Sequence, residues 1–184
     1  VFTVQNNVLP QGMQYSRVDM TLNAGMGDID TNEKNIPMVT PTAEKISAIP
    51  KPNGFWVITL KLPGDTVYAF EVTSAGVNLN PVTSNTGFTL TTGNFLGYLK
   101  PNLQGDRLAA IHYQVPGVFL YDFDANTGVA SNAMQLTTSI TSGYGVEFSP
   151  SGEYLYASSY STANTVQYDL TLGTAAAISA SETL

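Results

Sequence analysis

One pattern recurs along this chain and limits what it can become: an apolar strand, a turn built on Pro or Gly, a second apolar strand, then a strand carrying Tyr, Phe and Asp that runs into another turn. The clearest pair sets Gly145-Val-Glu-Phe-Ser-Pro-Ser-Gly-Glu-Tyr-Leu-Tyr-Ala-Ser158, followed by Val166-Gln-Tyr-Asp-Leu170, against Gly97-Tyr-Leu-Lys-Pro-Asn-Leu-Gln-Gly-Asp-Arg-Leu-Ala-Ala110, followed by Val118-Phe-Leu-Tyr-Asp-Phe123. Asp122 and Asp169 lie 47 residues apart, as do Gly105 and Gly152. A period of about 40–50 residues with four short strands per unit is the signature of β-propeller blades.

A third, looser copy lies upstream. Lys51-Pro-Asn-Gly-Phe-Trp-Val-Ile-Thr-Leu60 reads as turn plus second strand and Thr66-Val-Tyr-Ala-Phe-Glu-Val72 as the third strand, with Tyr68 and Phe70 standing where Tyr121 and Phe123 stand 53 residues later. Pro52-Asn53-Gly54, Pro101 to Gly105 and Pro150-Ser151-Gly152 then become equivalent hairpin turns, since Pro presets φ early in a turn and Gly accepts positive φ near its end. Before them, Met13 to Met20 resembles a third strand and Val1-Phe-Thr-Val4 a second. The expected organisation is one propeller segment over residues 1–184: a partial blade at 1–42 and blades at 43–94, 95–142 and 143–184, each complete blade having four antiparallel strands, with Ala176 to Ala180 as the last strand.

The chain has 184 residues, 43% of them hydrophobic and only 11% charged, with 16 Gly and 10 Pro. This turn-rich, charge-poor composition suits short strands, and no window holds a 3.6-residue period, so almost no helix is expected. Alternation is plain where Tyr154, Tyr156 and Ser158 interleave with Leu155 and Ala157. Division by the repeat gives about four units, the lowest count that closes a propeller. Both ends favour instead an incomplete segment of a six- to seven-bladed ring, whose open faces other blades or a protein partner would cover.

Net charge is −7, and the seven Lys and Arg are scattered with no two adjacent. A nucleic-acid partner needs a basic stripe, so none is expected, nor is an anionic membrane surface. No run approaches 18 apolar residues, and membrane insertion is not expected. Cys is absent, which removes disulfides and Cys-type zinc sites.

Few residues carry chemistry. His112 is the single histidine, at the end of a predicted second strand, and no Gly-x-Ser-x-Gly elbow supplies a serine for it to activate. Asp122-Phe-Asp124-Ala-Asn126-Thr-Gly128 offers oxygens for calcium but lacks the Gly and Glu spacing of an EF-hand, and it reads better as a turn. Asp28, Asp30 and Asn32, in the acidic stretch Gly25 to Glu33, are the other candidate calcium ligands, placed in a long loop. Tyr68, Phe70, Tyr121, Phe123 and Tyr168 recur at one blade position and read as packing between blades. Tyr98, Tyr113, Tyr144 and Tyr160 lie near strand ends and, with His112, are the candidate ligand-binding residues.

Gln14-Tyr-Ser-Arg-Val-Asp-Met-Thr-Leu-Asn-Ala-Gly-Met-Gly-Asp28, Glu44-Lys-Ile-Ser-Ala-Ile49 and Tyr144-Gly-Val-Glu-Phe-Ser-Pro-Ser-Gly152 with Leu155-Tyr156 resemble blades of the large secreted propeller proteins of Bacteroidota. That resemblance implies a secreted or cell-surface location and a ring of more than four blades. Members often carry polycystic-kidney-type modules and a sorting domain for type IX secretion, and some serve gliding or surface adhesion. It brings no catalytic residues, and the chain departs from the typical Phe-Ser-Pro-Asp-Gly turn at Lys100 to Gly105.

Two functions follow as expectations. The first is a non-catalytic extracellular interaction module that binds a glycan, a surface polymer or a protein partner such as the secretion machinery. The alternative is a lactonase-like or lyase-like propeller enzyme whose site is completed by further blades.

Overall fold

The computed structural model describes residues 1–6, 11–91, 93 and 95–184 and arranges them as four antiparallel sheets side by side. In the first sheet, β1 (Phe2–Thr3) pairs with β2 (Met13–Tyr15). A small ribbon of β3 (Val18–Asp19) and β4 (Asp28–Ile29) follows β2, and β5 (Ile36–Val39) completes the order β1-β2-β5. The second sheet runs β6 (Ser47–Lys51), β7 (Gly54–Leu60) and β8 (Gly64–Thr73), with the short β9 (Gly76–Val77) on β8 and β10 (Val82–Leu90) outermost. The third runs in order through β11 (Leu99–Pro101), β12 (Arg107–Ile111), β13 (Val118–Asp124) and β14 (Val129–Leu136). The fourth holds β15 (Gly143–Phe148), β16 (Tyr154–Ser159) and β17 (Thr165–Asp169).

Strand pairing repeats with the sequence. Arg107 faces Asp122 across β12 and β13, and Tyr154 faces Asp169 across β16 and β17, so the 47-residue spacing is a structural register. The first strands of neighbouring sheets, β6, β11 and β15, touch in succession. They line the axis about which the blades are set, and each outermost strand leads back to the next first strand. By this rule β1, β2 and β5 occupy the second, third and outermost positions of their sheet.

Between the sheets lie three apolar layers. Met13, Val57 and Phe70 fill the first. Ile49, Ile58 and Leu60 meet Leu108, Ala110, Phe119 and Tyr121 in the second. In the third, Ala109, Ile111, Val118 and Leu120 meet Leu155, Ala157, Val166 and Tyr168. Because successive side chains of a strand point to opposite faces, the middle sheets must be apolar on both, which explains why β7 and β12 are nearly continuous apolar runs. The recurrent aromatics do pack between blades: Phe70, Phe123 and Tyr168 are buried, as is Tyr121. Trp56 shows how tightly the blades meet, since its Nε1 donates to the Ala125 carbonyl at 2.7 Å in the next sheet. Gly128 has φ +78°, and a Cβ there would lie 2.8 Å from the Trp56 ring. Only glycine satisfies both conditions.

Three local expectations are revised. Ala176 to Ala180 is not a strand but part of α1 (Ala175–Ala180), because Thr174 caps it by accepting from the Ala177 amide at 3.3 Å and alanine is the best helix former. The β17 edge is met instead by Thr183, whose backbone exchanges two hydrogen bonds with Gln167. In the first hairpin turn Asn53, not Gly54, takes positive φ, at 66°. The turn at Asn102 to Gly105 keeps the shape of its partner at Ser149 to Gly152. Asn102 Oδ1 accepts from the Asp106 and Arg107 amides, where Ser149 Oγ accepts from the Tyr154 amide. β2 stops at Tyr15, so Val18 and Asp19 belong to the ribbon rather than to a strand reaching Met20.

Between the first and second sheets, beside β1, Phe2, Ile46, Ala48, Phe55 and Val57 line an apolar hollow of about 400 Å³. On the far side of the fourth sheet the residues are polar: Glu147, Tyr156, Ser158, Thr165 and Gln167.

Candidate functional site

Each first strand begins, and each second strand finishes, at the same end of its sheet, as the pairings of Leu99 with Ala110 and Gly143 with Ser159 require. Tyr98 precedes β11, Tyr113 follows β12, Tyr144 lies at the start of β15 and Tyr160 follows β16. Four residues distant in sequence thus arrive on one end face across two blades. Their rings form a connected row: Tyr98 to Tyr144 at 5.5 Å, Tyr144 to Tyr160 at 5.5 Å and Tyr160 to Tyr113 at 5.6 Å between centroids. These are favourable aromatic separations, and three tilted or edge contacts hold the rings in fixed orientation. Tyr160 and Tyr98 are 63% and 45% exposed, so the row presents ring surface to solvent.

Backbone hydrogen bonds tie the row to the blades. The Tyr98 amide donates to the Tyr144 carbonyl at 2.9 Å, joining third and fourth sheets at the row itself. Tyr113 and Tyr160 donate their amides to the carbonyls of Leu96 and Ser142, at 3.0 and 2.8 Å. These two tyrosines are 47 residues apart and stand in equivalent places, although the four do not share one repeat position. Lys100, on the axial strand, extends the row: its Nζ lies 5.5 Å from the Tyr98 ring centroid and 2.9 Å from Glu147 Oε2.

His112 does not join the row. It is 1% exposed and stacks edge-on against Phe119 at 5.1 Å, inside the layer between second and third sheets. The strand-end position that made it a candidate turns its ring inward.

Beside Tyr98 the end face drops into a cleft of about 310 Å³ lined by Glu44, Lys45, Ile46, Gly97, Tyr98, Leu99 and Lys100. Lys45 is 2% exposed, and its Nζ donates to the carbonyls of Phe95 at 2.9 Å and Leu96 at 2.6 Å. Burial pulls its ammonium down to about 7, against the opposing pull of Glu44. Nothing in the sequence around Lys45 announced this: a charged residue in a connecting segment ordinarily lies in solvent.

The acidic candidates lie elsewhere. Asp28 accepts from the Ile29 amide at 2.7 Å, in the ribbon. Asp30 Oδ1 accepts from the Asn32 amide at 2.9 Å, and its Oδ2 is ion-paired to Arg17, whose Nε holds Glu33 at 2.6 Å. The Asn32 amide first and Arg17 second hold the Asp30 carboxyl below its usual range. The stretch is a β-ribbon and a 3₁₀ turn laced by one arginine, rather than an open loop. Asp124 likewise serves a turn, accepting from the Asn126 amide and the Thr127 hydroxyl, while Gly128 takes positive φ. Among the described residues no group of three His, Asp or Glu side chains is placed to hold a metal ion.

No protein-family model and no curated protein sequence matches the chain. Solved structures do. A periplasmic gluconolactonase of Pseudomonas aeruginosa aligns with a TM-score of 0.58 at 16% identity, covering 91% of this chain and 48% of its own. A candidate 6-phosphogluconolactonase of Bacteroides fragilis aligns with the same TM-score and identity over 91% and 47%. A protein of unknown function from Desulfotomaculum acetoxidans reaches 0.58 at 14% identity over 86% and 48%. The chain has a β-propeller fold. It spans about half the length of the structures it matches, and at these identities the likeness extends to the fold alone.

Proposed function

We propose that this chain supplies part of the ligand-binding end face of a lactonase-like propeller, and that the ligand is sugar-like: a polyhydroxylated ring or chain lying over Tyr98, Tyr144, Tyr160 and Tyr113. The observation that carries this reading is the tyrosine row. Rigid rings with phenolic rims offer apolar surface to the C–H faces of a sugar and hydrogen bonds to its hydroxyls, at little cost in side-chain entropy. Its place near the axial strands supports the reading, because the mouth of such a ring is where a ligand pocket forms. Two of the structures of like fold bear lactonase names, and lactones of sugar acids belong to this ligand class. In this proposal the groups that activate water and polarise a lactone carbonyl belong to other blades of a larger ring. A location outside the cytoplasm fits the same reading.

A second reading, binding without chemistry, is favoured by the burial of His112 away from the row. Both readings share the tyrosine surface and part at turnover. Titration of the full chain with gluconate and with maltohexaose, followed by tyrosine ring signals in NMR, tests the shared part. Shifts at Tyr98, Tyr144 and Tyr160, with affinity lowered at least tenfold by Tyr144→Ala, are expected. Unmoved tyrosine signals with both probes would remove the proposal. Hydrolysis of glucono-δ-lactone by the intact protein above the spontaneous rate separates the enzyme from the binding module.

A further inference from the structure

Lys45 lies between the second and third sheets yet contacts the tyrosine row through one turn of backbone. Its Nζ donates to the carbonyls of Phe95 and Leu96, and the next two residues are Gly97, which lines the cleft, and Tyr98, which begins the row. The Glu44 amide donates to the same Phe95 carbonyl at 3.1 Å, and Thr59 Oγ1 holds the Lys45 carbonyl at 2.8 Å. The lysine is thus fixed at its own backbone and grips the segment that leads into Tyr98. We infer that Lys45 is a positioning residue for the ligand face, its ammonium clamping residues 95–98 so that the Tyr98 ring meets Tyr144, and that losing its proton loosens the clamp and weakens ligand binding. This inference rests on the proposed role of the row only for its effect on binding.

The chemistry follows from the donors. A protonated amine makes charge-assisted hydrogen bonds to both carbonyls, roughly twice as strong as those of the neutral amine that replaces it. Titration near neutral pH makes that exchange accessible under ordinary conditions. The charged or titratable groups that line the cleft with Lys45 are Glu44 on its own segment, Tyr98, and Lys100, which is paired with Glu147. Glu44 favours the ammonium, against the burial that disfavours it.

The test reads the ring signals of Tyr98 and Tyr144 and the ¹⁵N signal of Lys45 from pH 5.5 to 9 without ligand. Both tyrosine signals should move with the midpoint of the Lys45 signal, and gluconate affinity should fall about fivefold from pH 6 to pH 8.5, the factor expected from weakening one or two such hydrogen bonds. Lys45→Arg, which keeps the charge, should hold both rings at their low-pH positions throughout. Lys45→Met should show the high-pH positions at every pH. Tyrosine signals that stay fixed while Lys45 titrates would overturn the inference, and this outcome can be read in wild type even if Lys45→Met does not fold. A protein that shows the coupled titration yet binds neither gluconate nor maltohexaose would retain the clamp and lose the proposed function.

Discussion

The third and fourth sheets are the same unit built for two different neighbourhoods. Shifted by 47 residues, the face toward the chain's start keeps its character: Leu108, Ala110, Phe119 and Tyr121 become Leu155, Ala157, Val166 and Tyr168, all buried. The opposite face does not. Ala109, Ile111, Val118 and Leu120 of the third sheet are buried against the fourth, whereas the corresponding positions there are Tyr156, Ser158, Thr165 and Gln167. One strand period therefore carries two independent patterns, one per face. The conserved turn and register fix the backbone, while the residues of each face record what lies against it. The third sheet is sealed on both sides, and the fourth is sealed on one and polar on the other.

The sharpest way to break this contrast is to open a sealed face. Phe119, 2% exposed between second and third sheets and in contact with Phe88 and His112, should cost about 3–5 kcal/mol when changed to alanine, measured as a lower urea midpoint at constant slope. A loss under 1 kcal/mol would mean that the layer does not carry the stability of the array. Next in size is Gly128→Ala, which adds a Cβ 2.8 Å from the Trp56 ring at φ +78° and should cost about 2 kcal/mol or more. Trp56→Leu should relieve the clash and leave only the backbone strain, making the two effects non-additive.

A pH series sharpens the comparison at the interface of second and third sheets. Lys45 has a folded-state value of about 7, below the ordinary value of 10.5 for lysine. Between those values the unfolded chain binds more protons than the folded one, so stability should rise with pH above 7, with a slope of up to about 1.4 kcal/mol per pH unit, and level off near 10.5. Urea midpoints at pH 7 and 9.5 measure it, and Lys45→Met should flatten the rise. The smallest effect is expected on the polar face. Tyr156→Ser should change stability by within about 0.5–1 kcal/mol, and a cost like that of Phe119→Ala would show that the face is packed in solution.

Much of this architecture is legible in the chain. The spacing of Asp122 and Asp169, Gly105 and Gly152 reports strand register directly, because a hairpin turn and its flanking pleat admit no slip without turning the core residues outward. The final helix is less legible. Thr174 and three successive alanines are its signals, but the expectation of a repeating fourth strand competes with them, and the local preference prevails where the sheet needs only Thr183 to meet its edge. The polar face was readable residue by residue once the 47-residue shift is applied beyond the turns.

The tyrosine row is half legible. Tyr113 and Tyr160 repeat at 47 residues, but Tyr98 and Tyr144 are 46 apart and take adjacent rather than equivalent places, so only the packing of one blade on the next reveals their contact. Chain position singled out His112 for the same reason as the tyrosines, yet its ring turns into the layer beside Phe119. Lys45 was hidden altogether, since its burial depends on two carbonyls about 50 residues away.

The central claim is that the tyrosine row is a ligand surface and not only a seam between two blades. Its most direct test is a crystal structure of the chain grown with maltohexaose or gluconate, paired with the same soak of Tyr144→Ala. The account predicts a sugar ring or polyol chain seated over Tyr98 and Tyr144 in the native protein and none there in the variant. A ligand bound elsewhere, or an unaltered complex with Tyr144→Ala, would contradict it.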